Sequence, residues 1–419
     1  FWESLYDTIN LFKLRVSYGE LGNQNTSNWY PTYQVMPVYS NEGSWLQNGR
    51  RPNTAYVPSL ISSTMGWEKV KNWNMGFDFG FFNQRLRGSF DYFVRETKNM
   101  IGPAQELPVI LGIDVPKTNN TDLETYGFDF EISWNDRLNN GLGYSAKLLL
   151  SDSQTKITRY PNPTNTLSKY IEGRKLGEIW GYETIGIAKT DEEMQAHLAS
   201  LPKGGQNSLG ADWKAGDIMY KDLNNDGKID NGAYTVDNHG DIKVIGNNTP
   251  RYFFGLDFSA DWKGFDFRAF FQGVLKRDYW QGSYYFWGVT DNKWWSAGLV
   301  PHVDYFRDKP SNELDVNIDA YYPRPIFGTG KNQQVQTKYL QDASYIRLKN
   351  LQLGYTLPAS LLSKVNLNRI RVFVSGENLW TGTKMTEMFD PETVSGGADG
   401  NGNAYPLSKV FSFGLSITL

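Results

Sequence analysis

Asp222, Asn224, Asp226, Gly227, Lys228 and Asp230 lie in the run DLNNDGKID, at positions 1, 3, 5, 6, 7 and 9 of a calcium loop. A hard cation needs oxygen donors at alternate positions, a glycine for the sharp turn, and a backbone carbonyl at the seventh position. Each requirement is met, the last by Lys228. Position 12 is Ala233, so the bidentate acid that completes such a loop is absent at that spacing. The same residues also read as a metal-free turn cluster, because Asn, Asp and Gly favour turns for backbone reasons alone. A bound Ca²⁺ here would staple a long excursion of the chain, which is a structural task and not a catalytic one.

Aromatic rings supply a second kind of chemistry. Trp45, Trp180, Trp287, Trp294 and Trp295, with Tyr284 and Tyr285, fall in long connections where a ring could stack on a sugar face. Trp73, Trp134, Trp262 and Trp380 stand near strand ends and read better as an interfacial girdle. His197, His239 and His302 are scattered, without zinc spacing or a paired nucleophile. Carboxylates at Asp78, Asp129, Glu131, Asp257 and Asp261 occupy the polar faces of strands, where lining a watery interior explains them better than a catalytic pair. No glycine-rich phosphate loop stands out, and no reaction is indicated. With 42 basic and 45 acidic residues the chain carries no nucleic-acid footprint, and with no cysteine it offers neither disulfide nor thiolate site.

The elements that hold these residues are strands. Mean hydropathy is -0.51 and apolar runs are short, which excludes spanning helices of about 20 apolar residues. Aromatic residues make up 15% of the chain and there are 41 glycines, an all-β composition. Met75, Phe77, Phe79 and Phe81 alternate with Asn74, Gly76, Asp78 and Gly80. The same period of two recurs at 86–95, where only Phe93 breaks the polar face, and at 126–134, 252–262 and 265–272. Weaker runs lie at 11–19, 142–151, 345–357 and 369–378, the third changing phase between Leu348 and Leu351 as a bulge or a membrane exit would. The chain closes on Phe411, Phe413, Leu415, Ile417 and Leu419 alternating with small or polar residues. A helix is expected over 191–201, with Glu192 and Glu193 in its first turn and Pro202 beyond it, as decoration of a loop.

Ten strands result, and their connections alternate strictly between short (83–84, 136–141, 263–264, 358–368) and long (21–66, 100–122, 158–248, 282–342, 381–404). Short turns on one side and long loops on the other are the asymmetry of a transmembrane antiparallel β-barrel in an outer membrane. A soluble sandwich also alternates, but its strands average about 5 or 6 residues, against runs of up to a dozen here. A barrel of about ten strands is filled by its own side chains and leaves little room for such loops. The chain therefore reads as the C-terminal portion of a larger barrel, over 1–419, with an excursion at 159–248.

Specific segments then carry a resemblance: LKNLQLGYTLP at 348–358, VFVSGENLW at 372–380, DLNNDGKID at 222–230, VIGNNTPRYFFGLDFSADWKGFDFRAFFQG at 244–273, and LRVSYGELGNQN at 14–25. Together they resemble the SusC/RagA-like branch of the TonB-dependent outer-membrane transporters. The resemblance implies a barrel of about 22 strands around an N-terminal plug, the plug and first strands lying outside this chain. It implies TonB-driven import of oligomeric nutrients, glycans or peptides, beneath a SusD-like surface lipoprotein acting as a lid, with the substrate unchanged. It also implies that the late calcium ligand is Asp241, which precedes the IKVIG segment, residues 233–240 being an insertion. Two further readings stand beside it: a surface-exposed, calcium-stabilised glycan-binding β-protein, and a siderophore receptor of the same broad class.

Overall fold

The computed structural model describes residues 8–23, 34, 36–58, 60–62, 65–103, 110, 116–289, 298–362, 367–395 and 404–418. Ten long strands form one antiparallel sheet in which each pairs with its neighbours in sequence. They are β1 (Ile9–Asn23), β2 (Glu68–Phe81), β3 (Leu86–Pro103), β4 (Lys117–Arg137), β5 (Gly143–Arg159), β6 (Arg251–Trp262), β7 (Phe265–Lys276), β8 (Tyr345–Thr356), β9 (Arg369–Thr383) and β10 (Val410–Thr418). All ten strands expected from the alternation are present, and the connections keep their short–long rhythm. The tightest is the two-residue turn of Lys263 and Gly264, both at positive φ (47° and 91°), which matches the twist of a hairpin.

Register follows from the apolar pattern, because a slip of one residue would turn every side chain to the other face. Leu14, Phe77, Phe90, Phe130, Leu150 and Phe254 are successive partners across six strands and make one continuous apolar row. Stacked and tilted rings reinforce it, Phe77 lying 5.7 Å from Phe90 and Phe90 6.0 Å from Phe128. The opposite face is ionic. Arg15 bridges Asp78 (2.7 Å) and Asp91 (2.8 Å), Lys147 meets Glu131 (2.7 Å), and Arg137 meets Asp261 (2.8 Å). These acids therefore sit in cross-strand ion pairs. Phe93, an apolar residue on this face, lies over Gly127, where an added Cβ would come within 2.8 Å of its ring.

Two strand features depart from the alternation or follow from it. β3 and β4 run on as a polar ribbon past the apolar band, so the loop expected at 100–122 shrinks to 104–116. Backbone pairing needs no apolar partner, and asparagines supply the edges: Asn119 Nδ2 donates to the Asn99 carbonyl at 2.6 Å, and Asn99 N to Asp122 Oδ1 at 2.8 Å. The bulge anticipated in β8 falls at Lys349, which is skipped in the register with both β7 and β9. It lets Arg347 and Lys349 reach the 384–409 connection together: Arg347 bonds Asp390 (2.7 Å) and Glu392 (2.8 Å), and Lys349 bonds Glu392 (2.9 Å).

Among the described residues the sheet is open. There β1 and β10 each pair with one other strand of the sheet, and their apolar rows are the most exposed: Leu14 70%, Phe413 88%, against 38% for Leu256 in the middle. The main hydrophobic core lies elsewhere, in the long connections. It gathers Met194, Trp213, Ile218, Tyr220, Ile229, Ile242, Phe286, Trp287, Tyr322 and Tyr339, none of which is on a long strand.

Candidate binding region on the long connections

The excursions 160–250 and 277–344 fold together into a cap with its own small sheets. Glu178–Tyr182 pairs with Ile242–Asn247, Thr184–Ile187 with Ile218–Tyr220, and Asp278–Tyr279 with Gln341–Asp342. Aromatic rings pack the second excursion: Trp287 is 4.7 Å from Tyr339, and Phe286 meets Tyr322 edge-on at 5.6 Å. Buried phenols keep partners, as they must. Tyr339 donates to the Tyr321 carbonyl and Tyr220 to the Lys331 carbonyl, both at 2.7 Å. Burial pushes both hydroxyls well above the ordinary tyrosine range, so they stay neutral donors.

The helix expected over 191–201 spans Asp191–Ala199, and its role corrects the expectation of mere decoration. Thr190 caps it by accepting from Glu193 N at 3.1 Å, three acids occupy its first turn, and Met194 is fully buried in the cap core. His197 stands in its last turn; burial lowers its pKa against the bond to Gln206, so it is neutral at pH 7. His302 is stapled on both sides, with Nδ1 accepting from Leu299 N (2.9 Å) and Nε2 facing the Tyr285 carbonyl at 2.9 Å.

One buried ionic cluster ties the excursions together. Asp217, with no exposed surface, accepts from Arg324 Nε (2.8 Å) and Nη2 (2.8 Å), Lys331 Nζ (2.9 Å) and Asn332 Nδ2 (2.9 Å). Lys331 spends its remaining protons on the carbonyls of Ala211 (2.8 Å) and Asp212 (3.0 Å) and lies over the Trp213 ring. Burial lowers its pKa, and Asp217 opposes that shift. A sequence reading misses this cluster, because its members are more than a hundred residues apart and match no motif.

The calcium-like loop lies at the edge of this cap. Asp222 Oδ2 accepts from Gly227 N (2.9 Å), Asn224 Oδ1 from Asp226 N (2.9 Å), and Gly227 takes φ 83°, a conformation only glycine adopts freely. Asp241 does return to the loop. Segment 233–240 bulges out and closes where Asp241 N bonds the Asp230 carbonyl at 2.8 Å. The fully buried Asp241 carboxylate then accepts from Leu223 N (2.8 Å) and Asp230 N (2.9 Å). Burial, with Asp222 nearby, pushes its pKa up. Asp222 Oδ1 is buried with no hydrogen-bond partner among the described residues, a group whose desolvation a cation would offset. Lys228 Nζ meanwhile holds Asp230. Among the described residues no group of three or more His, Cys, Asp or Glu side chains is arranged to hold a metal ion.

The aromatic candidates separate. Trp287 is buried in the cap core, and half-buried Trp180 lies under Arg174 (5.0 Å) and beside His239 (5.6 Å). Tyr284 and Tyr285 pair at 4.1 Å at the start of a one-turn helix, and Trp45 is 57% exposed. Trp294 and Trp295 lie outside the described residues. At the strand ends Trp73 and Trp380 are half-exposed near the long connections, and Trp262 near a short one, as two girdles require.

A wide antiparallel meander of paired long strands, ionic on one face and aromatic on the other, with folded excursions at one end, is the architecture of a large barrel wall. Residues 4–264 match the family model described as TonB dependent receptor-like, beta-barrel, and the chain belongs to that family. It is 27% identical to TonB-dependent receptor P3 of Formosa agariphila over 98% of this chain and 40% of that protein. It is 24% identical to TonB-dependent receptor SusC of Bacteroides thetaiotaomicron over 98% of this chain and 38% of that protein. Among solved structures, the RagAB peptide importer in its closed-closed state superposes with a TM-score of 0.68 at 23% identity, over 98% of this chain and 41% of that one. The SusC/RagA-like resemblance is thus borne out, and the chain spans about 40% of the length of the curated relatives it matches.

Proposed function

We propose that this chain is part of the wall and the outer cap of a TonB-dependent outer-membrane importer of oligomeric nutrients, glycans or peptides. One observation carries the reading: a ten-stranded sheet with apolar rows exposed on one face and ion pairs on the other, whose large folded excursions all lie at one end. Lipid suits the first face and a watery lumen the second. The cap belongs outside the cell, where it meets a SusD-like lipoprotein lid. The unpaired edges of β1 and β10 pair with the remaining strands of the same barrel, and energy arrives through a plug and TonB. Substrate crosses without covalent change. Cells expressing the full-length protein with its lid should accumulate fluorescent oligopeptides or oligosaccharides only while TonB is functional. Equal uptake without TonB would refute active import, and the pool taken up identifies the substrate class.

We also infer that Asp222, Asn224, Asp226, the Lys228 carbonyl, Asp230 and Asp241 hold a structural Ca²⁺, the support being the orphaned Asp222 oxygen. A cation there neutralises acids that otherwise repel. Adding Ca²⁺ to chelated protein should slow hydrogen exchange across 222–241, and Asp222→Ala should abolish that response. The pH dependence has opposite signs with and without metal. Asp241 has a raised folded pKa, so without Ca²⁺ the loop is most stable at low pH and weakens as pH rises through that pKa. With Ca²⁺ the ligand must be ionised, so protection is lost as pH falls through the same range. Identical pH profiles with and without Ca²⁺ would rule the site out.

A further inference from the structure

A cavity of about 650 Å³ opens in the second excursion, walled by Trp287, Leu299, Tyr305, Tyr322, Ile326 and Phe327. Apolar atoms dominate its surface. Val300 and Phe327, on the rim, are 86% and 59% exposed, so the apolar wall continues out to solvent. At its polar end stand Arg324 and Lys331, and none of the described lining residues is an Asp or Glu.

The hydrogen-bond inventory of that end is specific. Lys331 has its three protons occupied, by Asp217 and two carbonyls. Asn332 donates to Asp217, and Gln333 to the Val289 carbonyl at 2.6 Å. Arg324 spends Nε and Nη2 on Asp217 and the Asp212 carbonyl, and its Nη1 has no partner among the described residues. The Asp212 carboxylate acts on Lys331 beside that of Asp217, so the two cations face two acids. What the cluster offers the apolar slot is the unspent guanidinium edge of Arg324. Asp217 fixes the guanidinium in place, so little ordering remains to be done on binding.

We propose that this cavity binds a carboxylate attached to an aromatic or branched apolar body, the carboxylate on Arg324 Nη1 and the body against Trp287, Tyr322 and Phe327. The site stands independently of the import reading, because binding to purified protein and uptake by cells are separate measurements. A charge-assisted bond of this kind contributes about 1.5–3 kcal/mol, so a neutral analogue should bind roughly 10- to 100-fold more weakly.

Fluorine-observed NMR on the full-length protein in detergent tests the site with three probes: N-acetyl-4-fluorophenylalanine, its primary amide, and 3-(4-fluorophenyl)propionate. The acid is expected to bind and the amide to bind at least about ten-fold more weakly. Binding of both acids assigns any apolar carboxylate as ligand, whereas binding of the first alone assigns a peptide C-terminus. Because Arg324 variants also disturb Asp217, the localising variant is Gly298→Trp. Gly298 lines the cavity, and a Cβ there meets nothing within 4 Å, so the indole should fill the slot without disturbing the cluster. It should abolish binding. Equal affinity for acid and amide, unchanged binding by Gly298→Trp, or no binding of either acid at about 10 mM would overturn the proposal.

Discussion

Replacing Asp217 by alanine should unfold the outer cap while leaving the ten-stranded sheet paired. Asp217 is fully buried and serves both excursions: Arg324, Lys331 and Asn332 come from one, Asp217 and its Lys214 N donor (3.0 Å) from the other. Without the carboxylate, Lys331, only 2% exposed, becomes an unpaired buried cation. Breaking one side of a buried pair costs about 3–5 kcal/mol, a large share of what stabilises an ordinary domain. The cap has few regular elements to compensate. Hydrogen exchange should rise across 178–247 and 278–342 and stay slow in β4 to β7, where pairing is continuous. Unchanged exchange in the cap would show that the aromatic core alone holds it.

The second large effect concerns the two faces of the sheet. Leu256 stands mid-strand in β6, flanked by Leu148 and Phe271 on its neighbours. Leu256→Arg should cost about 2–4 kcal/mol of folding free energy in a bilayer, the penalty for a cation at the midplane of a barrel's lipid face. Ser89 is on the other face, opposite Asp78 and Glu131. Ser89→Arg adds the same charge to a polar face where Arg15 already holds Asp78 and Lys147 holds Glu131, so its effect should be within about 0.5 kcal/mol, like an ordinary surface change. Urea-dependent folding of the full-length protein into vesicles measures both. Equal penalties, or a larger one for Ser89→Arg, would invert the assignment of faces.

How legible these features were depends on the forces behind them. The strands could be read because pairing repeats every two residues and each face meets a different solvent, so Met75 to Phe81 declared itself without any tertiary information. Even the β8 bulge, which the register puts at Lys349, showed as a lost phase between Leu348 and Leu351. The cap could not be read that way. Its burial is aromatic and irregular, so Trp287 looked like a stacking platform when it is a core residue touching Tyr339. The Asp191–Ala199 helix looked like decoration although Met194 anchors it. Asp217 and Lys331 are ordinary charged residues until the fold brings them to 2.9 Å. The calcium-like loop was half legible: its spacing marks Asp222 to Asp230, while Asp241 arrives only because 233–240 loops out and closes on the Asp230 carbonyl.

In the proposed importer the folded excursions face the cell exterior and the short turns face the periplasm. The absence of cysteine from these 419 residues allows a direct test with single-cysteine variants. Asn207 is exposed in the first excursion, and Asn139 lies in the short 138–142 turn. With a membrane-impermeant maleimide on intact cells, Asn207→Cys should label at once and Asn139→Cys only after the outer membrane is permeabilised. Labelling of Asn139→Cys on intact cells, with Asn207→Cys protected, would contradict the topology and with it the importer.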